Sequence, residues 1–468
     1  MIEGEFAVPS LGALADEVRA VLAGRHDPGV VVFERLLNAV VSHSFRDREA
    51  LTAALGAVPR EFKVKPHAQV RCLAVIVGEA VGPVRAEEAW ETSGAGWLEL
   101  CQHVALGYIA GARSGEVAAR LGAGDHVPFL LSVPSGPTGA VEPYELVERL
   151  AEYERLGIRP GPADLGQALL RCGGGPMDPE VVRAAEKLES AEGIRLAAWL
   201  RQGGLPQPAW QREREAGEAE RPSKRRGARI GRRILVGHEA IEGRGAFPRQ
   251  FWSLFRVFEP LISCPHWSLP DYRDAHTVAT LPWHPEIAAA RLLTGVASAA
   301  DQDGSGSPAF LEALASTDGP AGPAVHLAVA YGLASVPEPD REAAVRALVV
   351  LASRGRLDGE LLGRELTALV ELGTLRVPLL AESLRAAVAV PVPEGAAAVW
   401  AVLATALPGL LARTRPQLHG ALLAVAADSA RLSGARGELP EVTALAQRPG
   451  SSQLLKQARR LRDALAGC

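Results

Sequence analysis

Four side chains of metal-binding type fall in one stretch, CPHWSLPDYRDAHTVATLPWHPE: Cys264, His266, His276 and His284. A thiolate and three imidazoles suit tetrahedral zinc. Their spacing is unlike that of a tight structural site, and Pro265, Pro270, Pro282 and Pro285 punctuate the run. The expectation is an irregular connector in which Trp252, Trp267 and Trp283 fill gaps and the histidines cap or bond to backbone, with no metal bound. Asp271, Asp274 and His276 make an acid–base set on paper, but no nucleophile accompanies them.

A second constellation is the basic run Lys224, Arg225, Arg226, Arg229, Arg232 and Arg233, a set of contacts for an anion or for nucleic-acid phosphates. An acidic stretch precedes it and no aromatic residue interleaves it, so a solvated loop is the expectation. Gly304-Ser305-Gly306-Ser307-Pro308-Ala309 satisfies GxGxxA, yet no strand precedes it and no βαβ unit surrounds it. A Walker lysine motif, a GxSxG elbow and an HExxH are missing. No catalytic residue and no cofactor follow from these motifs.

The elements that would position such residues read as helices throughout. Of 468 residues, 48% are hydrophobic and only 5% aromatic, so the core consists of small aliphatic side chains that suit closely packed helices. A net charge of −4 and a pI near 6.3 argue against a general nucleic-acid or membrane-surface role. The cations are nearly all arginine, and the lysines are confined to Lys63, Lys65, Lys187, Lys224 and Lys456, a coding bias of GC-rich bacteria. Five dispersed cysteines without a CxxC point to a reducing compartment. The acidic start MIEGEFAVPS has no apolar core, so a cytoplasmic location is expected.

Apolar residues recur at three- and four-residue spacing over Gly29 to Ser44, from Asp47 through Leu55, and over Pro66 to Val81 and Trp97 to Ala110. Asp178-Pro179-Glu180 and His284-Pro285-Glu286 read as helix starts, and Gly157, Gly355 and Gly373 as helix ends. The last third predicts helices over Glu342 to Ser353, from Asp358 through Leu369, and over Arg376 to Val388, Ala396 to Ala412, Pro416 to Leu432, Glu441 to Gln447 and Gln453 to Leu465. Pairs recur roughly every 40 residues, the period of HEAT or armadillo units. Gly395 to Ala412 carries no charge and mimics a membrane span, but its alanines and Pro408-Gly409 favour a buried helix. Asn-Gly hairpin turns are unavailable, because Asn38 is the only asparagine and Ala39 follows it.

Gln202 to Arg233 is charged and poor in apolar residues, which predicts a linker or exposed loop. The expected organisation is a helical-repeat block at 1–201, a linker at 202–233, an irregular connector at 234–285 and a second repeat block at 286–468.

Four segments together carry a resemblance: Glu145 to Cys172, Leu281 to Leu293, Ala347 to Leu366 and Ala398 to Ala412. The chain resembles an actinobacterial family of large, Ala/Leu/Arg-rich helical-repeat proteins, known as domains of unknown function. The resemblance spans roughly residue 140 to the C-terminus, and family members are usually longer. They are often encoded near SWIM-type zinc-finger proteins, which implies a multi-protein system and carries over no catalytic residue.

The fold expected is all-α, an α-solenoid of stacked helix pairs. The function expected is a non-enzymatic scaffold that binds a protein partner, possibly the product of a neighbouring gene, through a concave surface. The alternatives are a nucleic-acid-binding repeat protein, using the basic run and Arg459, Arg460 and Arg462 of the last helix, or an enzyme with an unrecognised site.

Overall fold

The computed structural model describes residues 4–24, 28–56, 58, 68–82, 105–216, 219–220, 229–230, 232–260, 275–301, 308–413 and 419–467. They are mostly helical, and the chain is of the all-α class. It divides into two compact units. Unit 1 is Met1–Ala209 with Glu239–Phe258 and Ala275–His284; unit 2 is Trp210–His238 with Glu259–Asp274 and Pro285–Cys468.

Unit 1 holds α1 (Leu11–Ala23), α2 (Val30–Arg46), α3 (Arg48–Leu55), α4 (Ala68–Val81), α5 (Ala105–Ala123), α6 (Pro143–Leu156), α7 (Pro162–Arg171), α8 (Pro179–Ala185), α9 (Ala191–Arg201) and the short α10 (Ala275–Ala279). Its helix starts follow local chemistry. Ser10, Asp47 and Ser190 each accept an N–H from the first turn of the helix they precede. Asp178 caps α8 with Pro179 at the first position. Gly157 ends α6 in the left-handed conformation (φ 64°) that glycine adopts without strain. The core is aliphatic, with Leu14, Leu36, Leu37, Leu51, Leu55 and Leu73 fully buried.

Unit 2 holds α11 (Pro285–Asp301), α12 (Pro308–Ser316), α13 (Pro323–Leu333), α14 (Glu338–Ser353), α15 (Gly359–Glu371), α16 (Val377–Ala389), α17 (Pro393–Arg413), α18 (Gly420–Ser433), α19 (Pro440–Ala446) and α20 (Gln453–Ala466). From α11 to α18 each helix packs on the next but one, and α18 packs on α20. Small residues permit close approach: a Cβ at Gly363 of α15 would lie 2.6 Å from the Val402 carbonyl oxygen of α17. The apolar stretch that mimics a membrane span is α17; by length and composition it is able to cross a membrane, and half of that window is buried within the protein.

The segment expected as a linker is ordered at both ends. Strands β1 (Trp210–Ala216) and β4 (Arg233–His238) pair antiparallel, from Trp210 opposite His238 to Glu213 opposite Leu235, with a shift of register before Ala216. Between them Ala219–Glu220 (β2) pairs with Arg229–Ile230 (β3). All six residues of β4 are buried, and it packs on α11 and α13. The Tyr331 hydroxyl donates to the Ile234 carbonyl at 3.0 Å and accepts the Ile234 N–H at 2.9 Å, so one side chain satisfies both buried main-chain groups of that residue. Arg212 on β1 pairs with the buried carboxylate of Glu365 at 2.6 Å. From Trp210 onward the stretch therefore belongs to unit 2, while 202–209 belong to unit 1.

Candidate functional site

In unit 1 the chain from Val127 to Ser135 is largely buried without regular structure. Buried main-chain groups outside helix or sheet need partners from side chains. Here they have them. Asn38 Oδ1 accepts the Leu130 N–H at 2.9 Å, and Asp164 accepts the N–H groups of Leu131 at 2.7 Å and Ser132 at 3.3 Å. Arg149 donates to the carbonyls of Leu131 and Val133, Arg171 to that of Ser132, and the Tyr153 hydroxyl to that of Phe129.

Charge balance among these groups is set by Glu34 on α2. Its carboxylate takes two hydrogen bonds from Arg113, at 2.9 and 2.8 Å, and one from Arg171 at 2.7 Å. Burial alone would raise its pKa; the two guanidiniums overcome that and hold it down at about 2. Asp164 sits in the first turn of α7, and Glu116 of α5 accepts the Ala163 and Asp164 N–H groups at 2.8 and 2.9 Å. The residue before α7 is Gly161, where a Cβ would lie 1.9 Å from Glu116 Oε1, so a glycine leaves room for a cap supplied by another helix.

Beside this framework lies an open cleft of about 830 Å³. Ala7, Val8, Phe45, Pro128 and Phe129 give it apolar walls, and Phe45 is 37% exposed. Asn38 and Ser42, one turn apart on α2, are buried against it, and Arg46 continues along the same helix. The other wall is α6, whose Glu145, Glu148, Arg149, Ala151, Glu152 and Arg155 line the cleft.

Two of the three α6 carboxylates that line the cleft are paired, Glu145 with Arg149 and Glu152 with Arg155, each at 2.7 Å. The Arg155 hydrogen bond holds the Glu152 pKa below the usual range, so that carboxyl is ionised at neutral pH. Neither Glu148 nor Arg46 has an ion-pair partner among the described residues. The lining contains no cysteine, histidine or lysine. An apolar side, a charged side and one hydroxyl, that of Ser42, make up the lining.

The residues singled out from the sequence lie elsewhere. Cys264, His266, Asp271 and Asp274 fall outside the described residues. His276 is buried with its ring edge-on to Phe33, 5.3 Å between centroids. His284 is buried, 3.0 Å from Gln207 Nε2 through Nδ1, and burial lowers its pKa to about 4. Among the described residues no three His, Cys, Asp or Glu side chains are grouped to hold a metal ion.

Of the basic run, Lys224, Arg225 and Arg226 lie outside the described residues, as does the side chain of Arg229. Arg232 is exposed, and its carbonyl accepts from Thr374. Arg233 is a correction: it is 1% exposed and donates to the Thr294 carbonyl at 2.9 Å, so it is part of the packing of β4 and presents no charge to solvent. The expectation of a solvated loop fails there because the Ile234–Val236 run buries the chain around it. In the last helix Arg459 donates to the Ala446 and Arg448 carbonyls, Arg460 pairs with Asp428, and Arg462 pairs with Asp463.

The cleft residues were not anticipated, although α2 carries a signal for them. Glu34, Asn38 and Ser42 recur every fourth residue in VVVFERLLNAVVSHSFR, a polar line on the buried side of the helix. Compared with family models, with curated proteins and with solved structures, the chain matches none.

Proposed function

We propose that the protein is a non-enzymatic scaffold of the helical-repeat kind, and that it binds a protein partner. The observation that carries this reading is the cleft of unit 1: open, apolar on one side, charged on the other, with no cysteine, histidine or lysine in its lining. Partly exposed aromatic anchors within a charged rim are the usual composition of protein-binding surfaces. The next-but-one packing of α11 to α18 supports an α-solenoid of HEAT or armadillo type for unit 2, since stacked pairs bury faces that single pairs leave open. The resemblance to actinobacterial repeat proteins favours a partner within a multi-protein system in the cytoplasm.

The test is quantitative affinity capture from the native host, comparing the wild-type protein with Phe45→Asp, followed by titration calorimetry with the purified partner. A partner enriched by the wild type, lost with the variant and saturable in calorimetry supports the reading. Capture that is indifferent to Phe45, or substrate turnover by the purified protein, overturns it.

A further inference from the structure

We propose that His326 is an acid-sensitive latch in unit 2: its neutral ring ties the start of α15 to the start of α13, and the protonated ring cannot.

His326 lies in the first turn of α13 and is completely buried. Its two ring nitrogens meet main-chain groups of opposite kind. Nδ1 lies 2.7 Å from the Gly322 carbonyl, which only accepts, and Nε2 lies 3.0 Å from the Asp358 N–H, which only donates. The ring is therefore neutral, with its proton on Nδ1 and a lone pair on Nε2. Asp358 is the residue before α15; its side chain accepts the Leu361 N–H at 2.8 Å and its carbonyl the Leu362 N–H at 3.0 Å. A proton on Nε2 faces the Asp358 N–H donor to donor in an enclosed place, so the two helix starts must part. Glu286 of α11 holds the same end of α13 by accepting the N–H groups of Gly322, Ala324 and Val325.

Burial holds the His326 pKa below its usual 6.5, against the bond to Gly322 and the charge of Asp358, and the charge of Arg356 adds to the depression. Among the described residues no charge of α12, α14, α16 or β4, which also pack on α13, acts on the ring. A base whose folded pKa is depressed gives stability that is complete above pH 6.5 and is lost as the pH falls below it. The proton enters when the helix start opens locally, and it keeps that start from closing. Opening is thereby favoured about tenfold for each pH unit below the usual value, down to the folded pKa. Glu286, raised by burial to about 6, shifts the other way, but it acts on the amides of α13.

The experiment follows hydrogen–deuterium exchange of the full chain by mass spectrometry from pH 7.5 to about 5, corrected for the intrinsic pH dependence of exchange. Protection of peptides covering 357–363 should fall about tenfold or more over that range, relative to peptides covering α16. His326→Gln sets Oε1 near the place of Nε2, accepts the Asp358 N–H and takes no proton, so its protection there should stay within about twofold. His326→Asn keeps a donor for Gly322 but does not reach Asp358. It should expose 357–363 at pH 7.5 as the wild type does at pH 5.

Equal loss in the wild type and His326→Gln, or no loss in the wild type, overturns the latch. If His326→Gln does not fold, the wild type and His326→Asn decide. Equal protection of 357–363 in both at pH 7.5 overturns the latch, and a difference of about tenfold that closes by pH 5 supports it.

Discussion

Replacing Glu34 by glutamine tests the electrostatic framework most directly. The substitution keeps the shape and removes the charge, leaving Arg113 and Arg171 buried, with Asp164 the nearer carboxylate at 3.4 Å from Arg113. The depression of the Glu34 pKa from 4.5 to about 2 corresponds to about 3 kcal/mol in favour of the folded state. Removing one member of a buried ion pair typically costs about 3–5 kcal/mol, because the remaining charge is uncompensated. The two routes agree, and the loss is a large part of the roughly 5–15 kcal/mol that holds a domain together. The sign follows from the depressed pKa: the contribution is fully present above pH 4.5 and is lost as pH falls towards 2. Urea unfolding at pH 7 and pH 3, followed by circular dichroism, should show Glu34→Gln less stable by about 3 kcal/mol at pH 7, with the gap narrowing at pH 3. Glu34→Gln combined with Arg113→Met should cost less than the sum of the two single changes, since one orphan charge is removed with its partner. A loss under about 1 kcal/mol at pH 7, or a gap independent of pH, would refute the reasoning.

His284 acts in a different window. Its pKa falls from 6.5 to about 4 on burial, so its contribution is complete above pH 6.5 and is lost as pH drops towards 4, by about 3 kcal/mol. Glu286, raised by burial to about 6, acts oppositely between pH 4.5 and 6, so the readout is the difference between His284→Leu and wild type in urea melts at pH 7.5 and 5. Gly363→Val should lower stability by about 1–3 kcal/mol or more, because its Cβ meets the backbone of α17, and an unchanged melting temperature would contradict the close approach. In limited trypsin digestion monitored by mass spectrometry, the bonds after Arg212 and Arg233 should resist early cleavage, since both residues lie in the β1–β4 ladder; cuts there before cuts at the helix termini would contradict that ladder.

The fold was legible wherever a helix buries one continuous apolar face. The segments expected at Arg376 to Val388 and Gln453 to Leu465 appear as Val377–Ala389 and Gln453–Ala466, each within about a residue or two at either end. Gly157, Gly355 and Gly373 all have positive φ beyond helix ends, where proline and glycine punctuation placed them. The β1–β4 ladder was hidden for two physical reasons. WQREREA carries few apolar residues, because its Arg212 is satisfied by Glu365, far away in sequence. Its partner strand follows only after sixteen further residues, and no Asn-Gly or Asp-Gly pair lies between the two in sequence. Arg233 was read as solvated because sequence offers no view of the Thr294 carbonyl that receives it.

The site was harder to read because its polar residues serve two ends along one helix. At one end of the line on α2, Glu34 is saturated by Arg113 and Arg171 and belongs to the framework. One turn on, Asn38 gives its oxygen to Leu130 and keeps an unmatched amide. One more turn brings Ser42 to the cleft, and then Phe45 and Arg46 reach its rim. Polar satisfaction thus declines along α2 from the core towards the cleft. A residue whose polar atoms are all matched is explained by folding alone. Asn38 is only half explained that way, since its amide nitrogen is enclosed and unmatched. The Glu34 framework holds the segment from Val127 to Ser135 in place, and Pro128 and Phe129 of that segment form a cleft wall. The buried ion network therefore acts on binding only through the position of that wall: weakening it should loosen the cleft without touching any residue that faces the occupant.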